Sequence, residues 1–204
     1  MTLHDLIHHW PLDKLIGYGM MQKKSINQSV SCDYVNDRFN RKESALFINW
    51  GYISVPAGIY FYGDFTISVW FKLDQMNANA RILDFGNAPN SNNIILAFTP
   101  TAKIFLAVYD SAKVVYLSSS DTILVNKWYH TAVVVNGTVG SIYLNGVLNF
   151  QGPTNVPRAV NRPFNYIGKS NSNNPLLQGT IDDLQIYNKS LGSSQINDIF
   201  RCGF

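Results

Sequence analysis

Two Asn-Gly pairs placed between apolar runs constrain the fold of this chain more than any other feature. Residues 131–135 read Thr-Ala-Val-Val-Val and lead to Asn136-Gly137, and residues 141–144 lead to Asn145-Gly146. Asn-Gly between apolar runs is the strongest short-range hairpin signal, because both residues tolerate a positive φ. The segment from Trp128 to Leu148 therefore predicts antiparallel strands, and with them an antiparallel β protein.

Strand patterns continue along most of the sequence. Residues 65–71 read Phe-Thr-Ile-Ser-Val-Trp-Phe, which predicts a strand with alternating faces. Residues 45–55 predict a hairpin-like pair of strands around Trp50, and residues 17–40 predict irregular structure. Ser193–Phe200 is the one segment with a helical pattern, its apolar face formed by Ile196, Ile199 and Phe200. Roughly a dozen short strands predict a sandwich or jelly roll, which we expect to be a single domain over residues 1–204.

The composition bounds the class of protein. Of 204 residues, 46% are hydrophobic and 14% are charged, which is enough apolar mass for a sizeable core. The net charge of +3 is mild and the basic residues are scattered, so we expect no nucleic-acid partner. No apolar run approaches the roughly 18 residues of a membrane span, so we expect no membrane insertion.

The cysteines and the glycosylation sequons bear on the compartment. Cys32 and Cys202 are either a disulfide between the N-terminal third and the C-terminal end, or two thiols. Asn-x-Ser/Thr sequons begin at Asn27, Asn136 and Asn188. Taken together, the cysteine pair and the sequons favour an extracellular or cell-surface location.

The order of several segments along the chain is more informative than any one of them. These segments are 9–13 (His-Trp-Pro-Leu-Asp), 44–56, 63–72, 127–135, 142–147, 167–169 and 179–191. In this order and spacing they resemble the concanavalin A-like, laminin G-like jelly-roll group, to which the pentraxins are related. The resemblance implies an all-β fold in which two antiparallel sheets of about six or seven strands pack face to face.

The acidic residues argue against an enzyme. Glycosidases need a pair of carboxyl groups beside the scissile bond, and the resemblance implies two Glu and one Asp on a single strand for its glucanases. This chain has one glutamate, Glu43, in a polar turn, against twelve aspartates. Asp182 and Asp183 are adjacent, so on a regular strand they would point to opposite faces. We therefore predict that the chain is not an enzyme. The remaining alternative is an enzyme whose active site has an unfamiliar arrangement. For His130 we predict a structural role.

A structural calcium ion is a further expectation, because relatives in the resembled group often hold one with Asp, Asn and carbonyl oxygens. If the first and last strands are neighbours, as the resemblance implies, the ligand oxygens would come from Asp13, Asp33, Asp37 and Asp182. The alternative is that Asp182 caps a turn or accepts hydrogen bonds from neighbouring amides.

Carbohydrate recognition would require aromatic faces for stacking and amide or carboxylate groups for hydroxyls. The residues predicted for this role are Trp50, Tyr52, Tyr60, Tyr62, Asn87, Asn90, Tyr109 and Asp110. Trp70 and Trp128 are assigned to the core or to the space between the sheets, because a sandwich needs bulky fillers.

The sequence thus predicts a non-catalytic recognition module. Its partner would be a glycan or a glycoprotein, bound through loops or the concave sheet, and the module would belong to a larger multidomain chain. The alternative is an adhesion or structural module with a protein partner, which would expose an apolar patch of a few hundred Å².

Overall fold

Fifteen strands and one helix make up the regular structure of the described residues, which in this computed structural model are 6–10, 12, 22–25 and 32–202. The strands are β1 (Leu6–Trp10), β2 (Gln22–Ser25), β3 (Cys32–Val35), β4 (Ala45–Asn49), β5 (Gly51–Val55), β6 (Phe65–Leu73), β7 (Arg81–Gly86), β8 (Ile94–Phe98), β9 (Ile104–Asp110), β10 (Lys113–Ser118), β11 (Trp128–Asn136), β12 (Val139–Leu144), β13 (Val147–Pro153), β14 (Phe164–Ile167) and β15 (Gln178–Tyr187), and the helix is α1 (Ser193–Cys202).

The strands form two antiparallel sheets that pack face to face. The first sheet has eight strands in the order β13-β12-β11-β6-β15-β4-β3, with β1 also paired to β15. The second has seven strands in the order β10-β9-β8-β7-β14-β5-β2. Apolar side chains from both sheets, such as Ile67, Phe71, Leu83 and Leu106, form one core cluster between them. The predicted all-β, two-sheet sandwich with a short C-terminal helix is confirmed.

The two predicted Asn-Gly turns are present and connect consecutive strands of the first sheet. β11 pairs with β12 across Asn136-Gly137, and β12 pairs with β13 across Asn145-Gly146. Asn145 and Gly146 both have positive φ, at 49° and 79°, as a tight hairpin turn requires. Here the local sequence alone determines the pairing.

The predicted hairpin around Trp50 is wrong. β4 pairs with β15 and β3 in the first sheet, whereas β5 pairs with β14 and β2 in the second. Trp50 has a φ of 58° at the point where the chain crosses between the sheets. Both strands alternate with one face on the core, so their pattern is the same whether they pair or face each other across the core.

The segment predicted as irregular, residues 17–40, contains the strands β2 and β3. β2 is the four-residue sequence Gln-Lys-Lys-Ser, whose polar character gives no strand signal. It pairs with β5 at the edge of the second sheet, and β3 pairs with β4 at the edge of the first. Short edge strands of four residues depend on a neighbouring strand more than on their own side chains, so the sequence pattern misses them.

The outer face of the first sheet is covered by α1. Between α1 and the first sheet lies a second apolar cluster, separate from the core between the sheets, which consists of Ala132, Val134, Tyr143, Tyr187, Leu191, Ile196 and Ile199. Trp70 also lies on this face, stacked on Phe200 with ring centroids 5.5 Å apart. Trp128 is half-buried, with Lys72 Nζ 5.7 Å from its ring centroid. The assignment of both tryptophans to the core or inter-sheet space is therefore wrong, because alternate residues of β6 and β11 face outward.

The structure contains no disulfide between Cys32 and Cys202. Cys32 is buried in the cluster between the two sheets. Cys202 is exposed at the end of α1, which packs on the opposite face of the first sheet. Since the first sheet separates the two sulfur atoms, the structure agrees with the two-thiol alternative and not with the disulfide.

Arg162 is a fully buried cation that joins separate segments of the chain near one end of the second sheet. Its guanidinium donates to the carbonyl oxygens of Asn92, Phe61, Val160 and Arg158, at 2.8, 2.9, 3.4 and 3.3 Å. Burial lowers its pKa to about 10, so the group stays charged at neutral pH. No described carboxylate forms an ion pair with it, and the carbonyl oxygens alone satisfy its donors.

Replacing Arg162 with Met should lower the free energy of unfolding by about 3 kcal/mol, because buried carbonyl oxygens lose their donors. Urea denaturation measures the change. Arg158→Met is the matched control: its side chain is 59% exposed and pairs with Asp110, so we expect a loss below about 1 kcal/mol. Equal losses in the two variants would contradict a structural role for the buried guanidinium.

Candidate ligand-binding site

The outer face of the second sheet carries a depression of about 440 Å³. Its lining combines aromatic, cationic and amide groups: Pro89, Phe164, Tyr166, Lys169, Ser170, Asn171, Ser172 and Asn173. We call this depression the aromatic pocket. Its floor is β14, and its walls are the loop that follows β14 and the loop between β7 and β8.

The short strand β14 positions the aromatic side chains by alternation. Phe164 and Tyr166 lie on the outer face, while Asn165 and Ile167 are buried on the inner face. The chain then turns at Gly168, whose φ is 83° and whose added Cβ would lie 2.9 Å from Ile48 Cδ1. Glycine is needed there, and the turn returns the following residue, Lys169, to the outer face.

Lys169 stacks on two tyrosines at the edge of the pocket. Its Nζ lies 4.5 Å from the ring centroid of Tyr52 and 4.3 Å from that of Tyr166. The two rings meet edge to face, with centroids 5.6 Å apart. Burial, with the nearby Tyr52 and Asp84, raises the pKa of Tyr166, which keeps its phenol protonated at neutral pH. The cluster therefore presents a cation and neutral hydroxyl groups beside aromatic faces.

A buried carboxylate, Asp84, organises the floor. It accepts hydrogen bonds from Asn93 Nδ2 at 2.7 Å, from Asn171 N at 2.9 Å and from Asn171 Nδ2 at 2.9 Å. Ser170 Oγ donates to it at 3.4 Å, and Arg81 Nε lies 3.9 Å away. These donors come from both loops that form the walls, so one side chain fixes the shape of the pocket.

The loop between β7 and β8 is held against the sheet by close packing. Asn93 donates to Asp84 and accepts from Ser91 N at 2.7 Å. A Cβ on Gly86 would lie 2.3 Å from Asn93 Nδ2, so only glycine leaves room for this bond. Further along the face, Tyr109 donates to Asn90 Oδ1 at 3.0 Å.

A second depression of about 340 Å³ lies on the same face, over β9 and β10. It is lined by Asn79, Thr99, Pro100, Phe105, Tyr116, Leu117 and Ser118. Between the two depressions, the hydroxyl oxygens of Tyr109 and Tyr116 lie 3.2 Å apart and share a hydrogen bond. Aromatic groups thus continue across the second sheet beyond the aromatic pocket.

Four of the eight residues predicted for ligand binding lie in, or contact, the elements that form the aromatic pocket. Tyr52 packs against Tyr166 at the pocket, Asn87 and Asn90 lie in the adjoining loop, and Tyr109 holds Asn90. Asn87 is anchored by a bond from its Nδ2 to Asn161 O at 3.0 Å.

The other four predicted residues lie elsewhere. Tyr60 is buried between the sheets, against Phe85, because it belongs to the core cluster. Asp110 forms an ion pair with Arg158. Trp50 is exposed at the crossing between the sheets, and Tyr62 is exposed in the loop before β6. None of the eight residues predicted for ligand binding lines either depression.

The sequence analysis missed Phe164, Tyr166, Lys169 and Asn171. Two signals could have identified them: the alternation of Phe164 and Tyr166 in a short strand, and the asparagine-rich loop that follows. Neither signal shows that β14 occupies the centre of the second sheet, between β7 and β5. That position places these side chains beside Tyr52, which is distant in sequence.

Asp182 and Asp183 converge on one arginine, contrary to the prediction that they diverge. The register of β15 shifts between Asp182 and Gln185, and Asp183 has a φ of 46°. Arg38 Nη1 donates to Asp182 Oδ2 at 2.6 Å, and Arg38 Nη2 donates to Asp183 Oδ2 at 2.8 Å. A bulge changes the alternation of a strand, which a regular pattern does not anticipate.

The pKa values of these two carboxyl groups shift in opposite directions from the ordinary value of an aspartate. Burial and the charge of Asp183 raise the pKa of Asp182 to about 8. Burial also opposes ionisation of Asp183, but hydrogen bonds from His9 and Arg38 outweigh it and lower the pKa of Asp183. The cluster therefore holds one proton on Asp182 when Asp183 is ionised.

Two of the four aspartates predicted as calcium ligands are held by arginine side chains. Asp182 is bound to Arg38, and Asp37 accepts from Phe39 N, Arg41 N and Arg41 Nε. Asp33 is exposed on β3, and Asp13 lies outside the described residues. In the described ranges, no group of three or more His, Cys, Asp or Glu side chains could hold a metal ion. Binding of calcium by this chain stays a prediction.

His130 has the structural role predicted for it. It is fully buried, its Nε2 lies 2.8 Å from Ser68 Oγ, and its ring packs against Trp70. Burial lowers its pKa to about 3, so the ring is neutral throughout the physiological range. These contacts fix the side chain beneath α1.

The fold agrees with a comparison of the sequence against known protein families. Residues 49–197 match the family Laminin_G_3, described as the concanavalin A-like lectin/glucanases superfamily. This chain belongs to that family. The matched residues run from the crossing at Trp50 into α1, and they include every residue that lines the aromatic pocket of this Laminin_G_3 chain. No curated protein matches the sequence.

Solved structures share the fold of this Laminin_G_3 chain. Domain 4 of the extracellular GH43 arabinanase AbnA from Geobacillus stearothermophilus, in complex with arabinotriose, has a TM-score of 0.77 at 21% identity, covering 97% of this chain and 98% of that one. The binding domain of Paraclostridial Mosquitocidal Protein 1 has a TM-score of 0.75 at 18% identity, and the match covers 98% of this chain and 52% of that one. The CBM40 of the Ruminococcus gnavus IT-sialidase, bound to α2,3 sialyllactose, has a TM-score of 0.60 at 13% identity. That match covers 73% of this chain and 96% of the CBM40 chain.

A helix that could cross a membrane is not found among the described residues.

Replacing Gly86 with Ala should disrupt the floor of the aromatic pocket, because the new methyl group would displace Asn93 from Asp84. We expect a loss of about 1–3 kcal/mol in the free energy of unfolding, as for other overpacked sites, measured by urea denaturation. Hydrogen exchange at the Ser91 amide, which bonds to Asn93, should accelerate. Gly192→Ala is the control, since its Cβ would lie 3.8 Å from the nearest atom, Gln195 Oε1. Unchanged exchange at Ser91 in Gly86→Ala would contradict this account.

Stability should fall as pH rises from about 6.5 to 8, because folded Asp182 retains a proton that the unfolded chain has already released. The slope should reach at most about 1.4 kcal/mol per pH unit. Below pH 6.5, neutral buried His130 contributes the opposite trend, so denaturation is best followed above that value. Asp182→Asn should remove the slope, since its amide cannot ionise, whereas Asp198→Asn on the exposed face of α1 should keep it. A slope that persists in Asp182→Asn would contradict the assignment.

Proposed function

We propose that this chain is a non-catalytic carbohydrate-binding module whose ligand lies in the aromatic pocket. The single observation that carries the proposal is the open depression lined by Phe164, Tyr166, Lys169 and Asn171, with Tyr52 packed against Tyr166 at its edge. The apolar faces of sugar rings stack on such aromatic groups, and sugar hydroxyls bond to amide and phenol groups at the same place.

The preformed hydrogen bonds of the pocket support this role. Asn171 uses its amide nitrogen for Asp84 and Phe164 O, and Ser170 accepts from Ser172 N at 2.9 Å. These bonds hold the loop after β14 before any ligand arrives, which lowers the entropic cost of binding. The Asn171 Oδ1 atom is outside these bonds and can accept from a sugar hydroxyl.

The absence of catalysis is part of the proposal. Glycoside hydrolysis requires two carboxyl groups about 5–10 Å apart beside the scissile bond. The carboxyl group under the aromatic pocket, Asp84, is 1% exposed and saturated with donors, and the pair formed by Asp182 and Asp183 lies on the other sheet, bound to Arg38. The only glutamate of the chain, Glu43, is exposed in a turn.

Related folds supply further support for a glycan ligand. Two of the structures similar to this chain are an arabinanase domain in complex with arabinotriose and a CBM40 bound to sialyllactose. We extend to this chain the general role of binding a glycan or glycoprotein. We also propose an extracellular or cell-surface location and membership of a larger multidomain protein.

Tyr166→Ala should weaken binding about tenfold or more for any glycan that the protein selects from a broad array, because it removes a stacking face. Titration calorimetry measures the affinity. Tyr166→Phe should retain most of it, since the ring remains, and Tyr62→Ala should match wild type, because Tyr62 lies outside the pocket. Wild-type protein that binds nothing on the array, or binding that Tyr166→Ala leaves intact, would refute the proposed site.

The adhesion alternative rests on a separate observation. Val147, Leu148 and Phe150 of the edge strand β13 are 65%, 46% and 37% exposed. Exposed apolar groups on a sheet edge are typical of protein contacts. If the array shows no binding, a protein partner at β13 becomes the favoured function.

A further inference from the structure

The aromatic pocket contains a lysine, Lys169, for which the described residues supply no counter-ion. No carboxylate among the described residues forms an ion pair with Lys169. Its contacts are the faces of Tyr52 and Tyr166, which attract a cation but accept no conventional hydrogen bond. The three N–H donors of the ammonium group are therefore available to a ligand.

The other charges near the pocket balance one another. Asp84 lies 3.9 Å from Arg81, and both side chains are buried, at 2% and 10% exposure. Asp110 is paired with Arg158 further along the face. Because these pairs cancel, the positive charge of Lys169 is the one left without an opposite charge among the described side chains that line the pocket.

We infer that the pocket selects an acidic glycan, one that carries a carboxylate or a sulfate group on a ring stacked beside Tyr166. This inference rests on the proposed function, which by itself requires only a sugar. The acidic group would accept a charge-assisted hydrogen bond from Lys169 Nζ, while the ring occupies the faces of Phe164 and Tyr166. Charge-assisted bonds are about twice as strong as neutral ones, and the two tyrosines hold the ammonium group in place for one.

The fixed position of Lys169 distinguishes it from an ordinary surface lysine. Its backbone follows directly after Gly168, whose amide bonds to Ile82 O at 3.0 Å. Its side chain is half-buried between two rings instead of extending into solvent. A cation held in this way loses less conformational entropy when it pairs with an anion.

The test compares matched pairs of probes that differ only in charge. Trigalacturonic acid is compared with its methyl ester, and a sulfated galactan oligosaccharide with its desulfated form. Calorimetry at low and high salt measures each affinity for wild type, Lys169→Met and Lys169→Arg. Lys127→Met is the matched control, because Lys127 Nζ also lies over a tyrosine ring, 5.3 Å from the centroid of Tyr129, outside the pocket.

We expect wild type to bind at least one acidic probe about tenfold more tightly than its neutral form, with a preference that weakens as salt is added. Lys169→Met should bind the acidic and the neutral member of each pair with similar affinity, whereas Lys169→Arg and Lys127→Met should retain the preference. The carboxylate and sulfate pairs separate the two kinds of acidic group.

Two results overturn the inference, and they can be told apart. If wild type binds both members of each pair equally, and Lys169→Met does the same, the acidic specificity is wrong while carbohydrate binding stands. If wild type binds no probe and no glycan on the array, the proposed function fails and the inference fails with it.

Discussion

The carboxylate of Asp84 is the interaction on which the ligand-binding face depends. A buried charge must be satisfied by hydrogen bonds or an opposite charge, and the required donors come from both flanking loops through Asn93, Ser170 and Asn171. Because these donors are far apart in sequence, the charge draws two loops and the centre of a sheet into one rigid unit. A neutral side chain at the same place would leave the loops to be positioned by turn geometry alone.

The two outer faces of the sandwich are used in different ways. On the first sheet, α1 and the Arg38 cluster cover the surface, so the polar residues of β6 and β15 are buried in structural contacts. On the second sheet, aromatic rings lie beside the small residues Ala97 and Ala107, and none of the helical residues that the structure describes covers them. The open face is therefore the one on which a ligand can lie, and its aromatic content serves both the stability of the sheet and recognition.

The sequence predicts the parts of this structure that depend on local geometry. The turns at Asn136 and Asn145, the alternation of β6 and the helix α1 follow from φ preferences and periodicity, and all are present. The crossing at Trp50, the bulge at Asp183 and the placement of β14 beside β5 depend on contacts between distant segments, so no local pattern reveals them. The same reason explains the site: Tyr52 was identified from its residue type, but its partners Tyr166 and Lys169 are neighbours only in the folded sheet.

The separation of the two cysteines has a practical consequence. Cys202 is the exposed thiol at the end of α1, on the opposite side of the sandwich from the aromatic pocket, while Cys32 is shielded in the core. A maleimide dye or a biotin tether attached to Cys202 would leave the pocket facing outward. Immobilised in this orientation, every molecule on a sensor surface would present the same face to the solution.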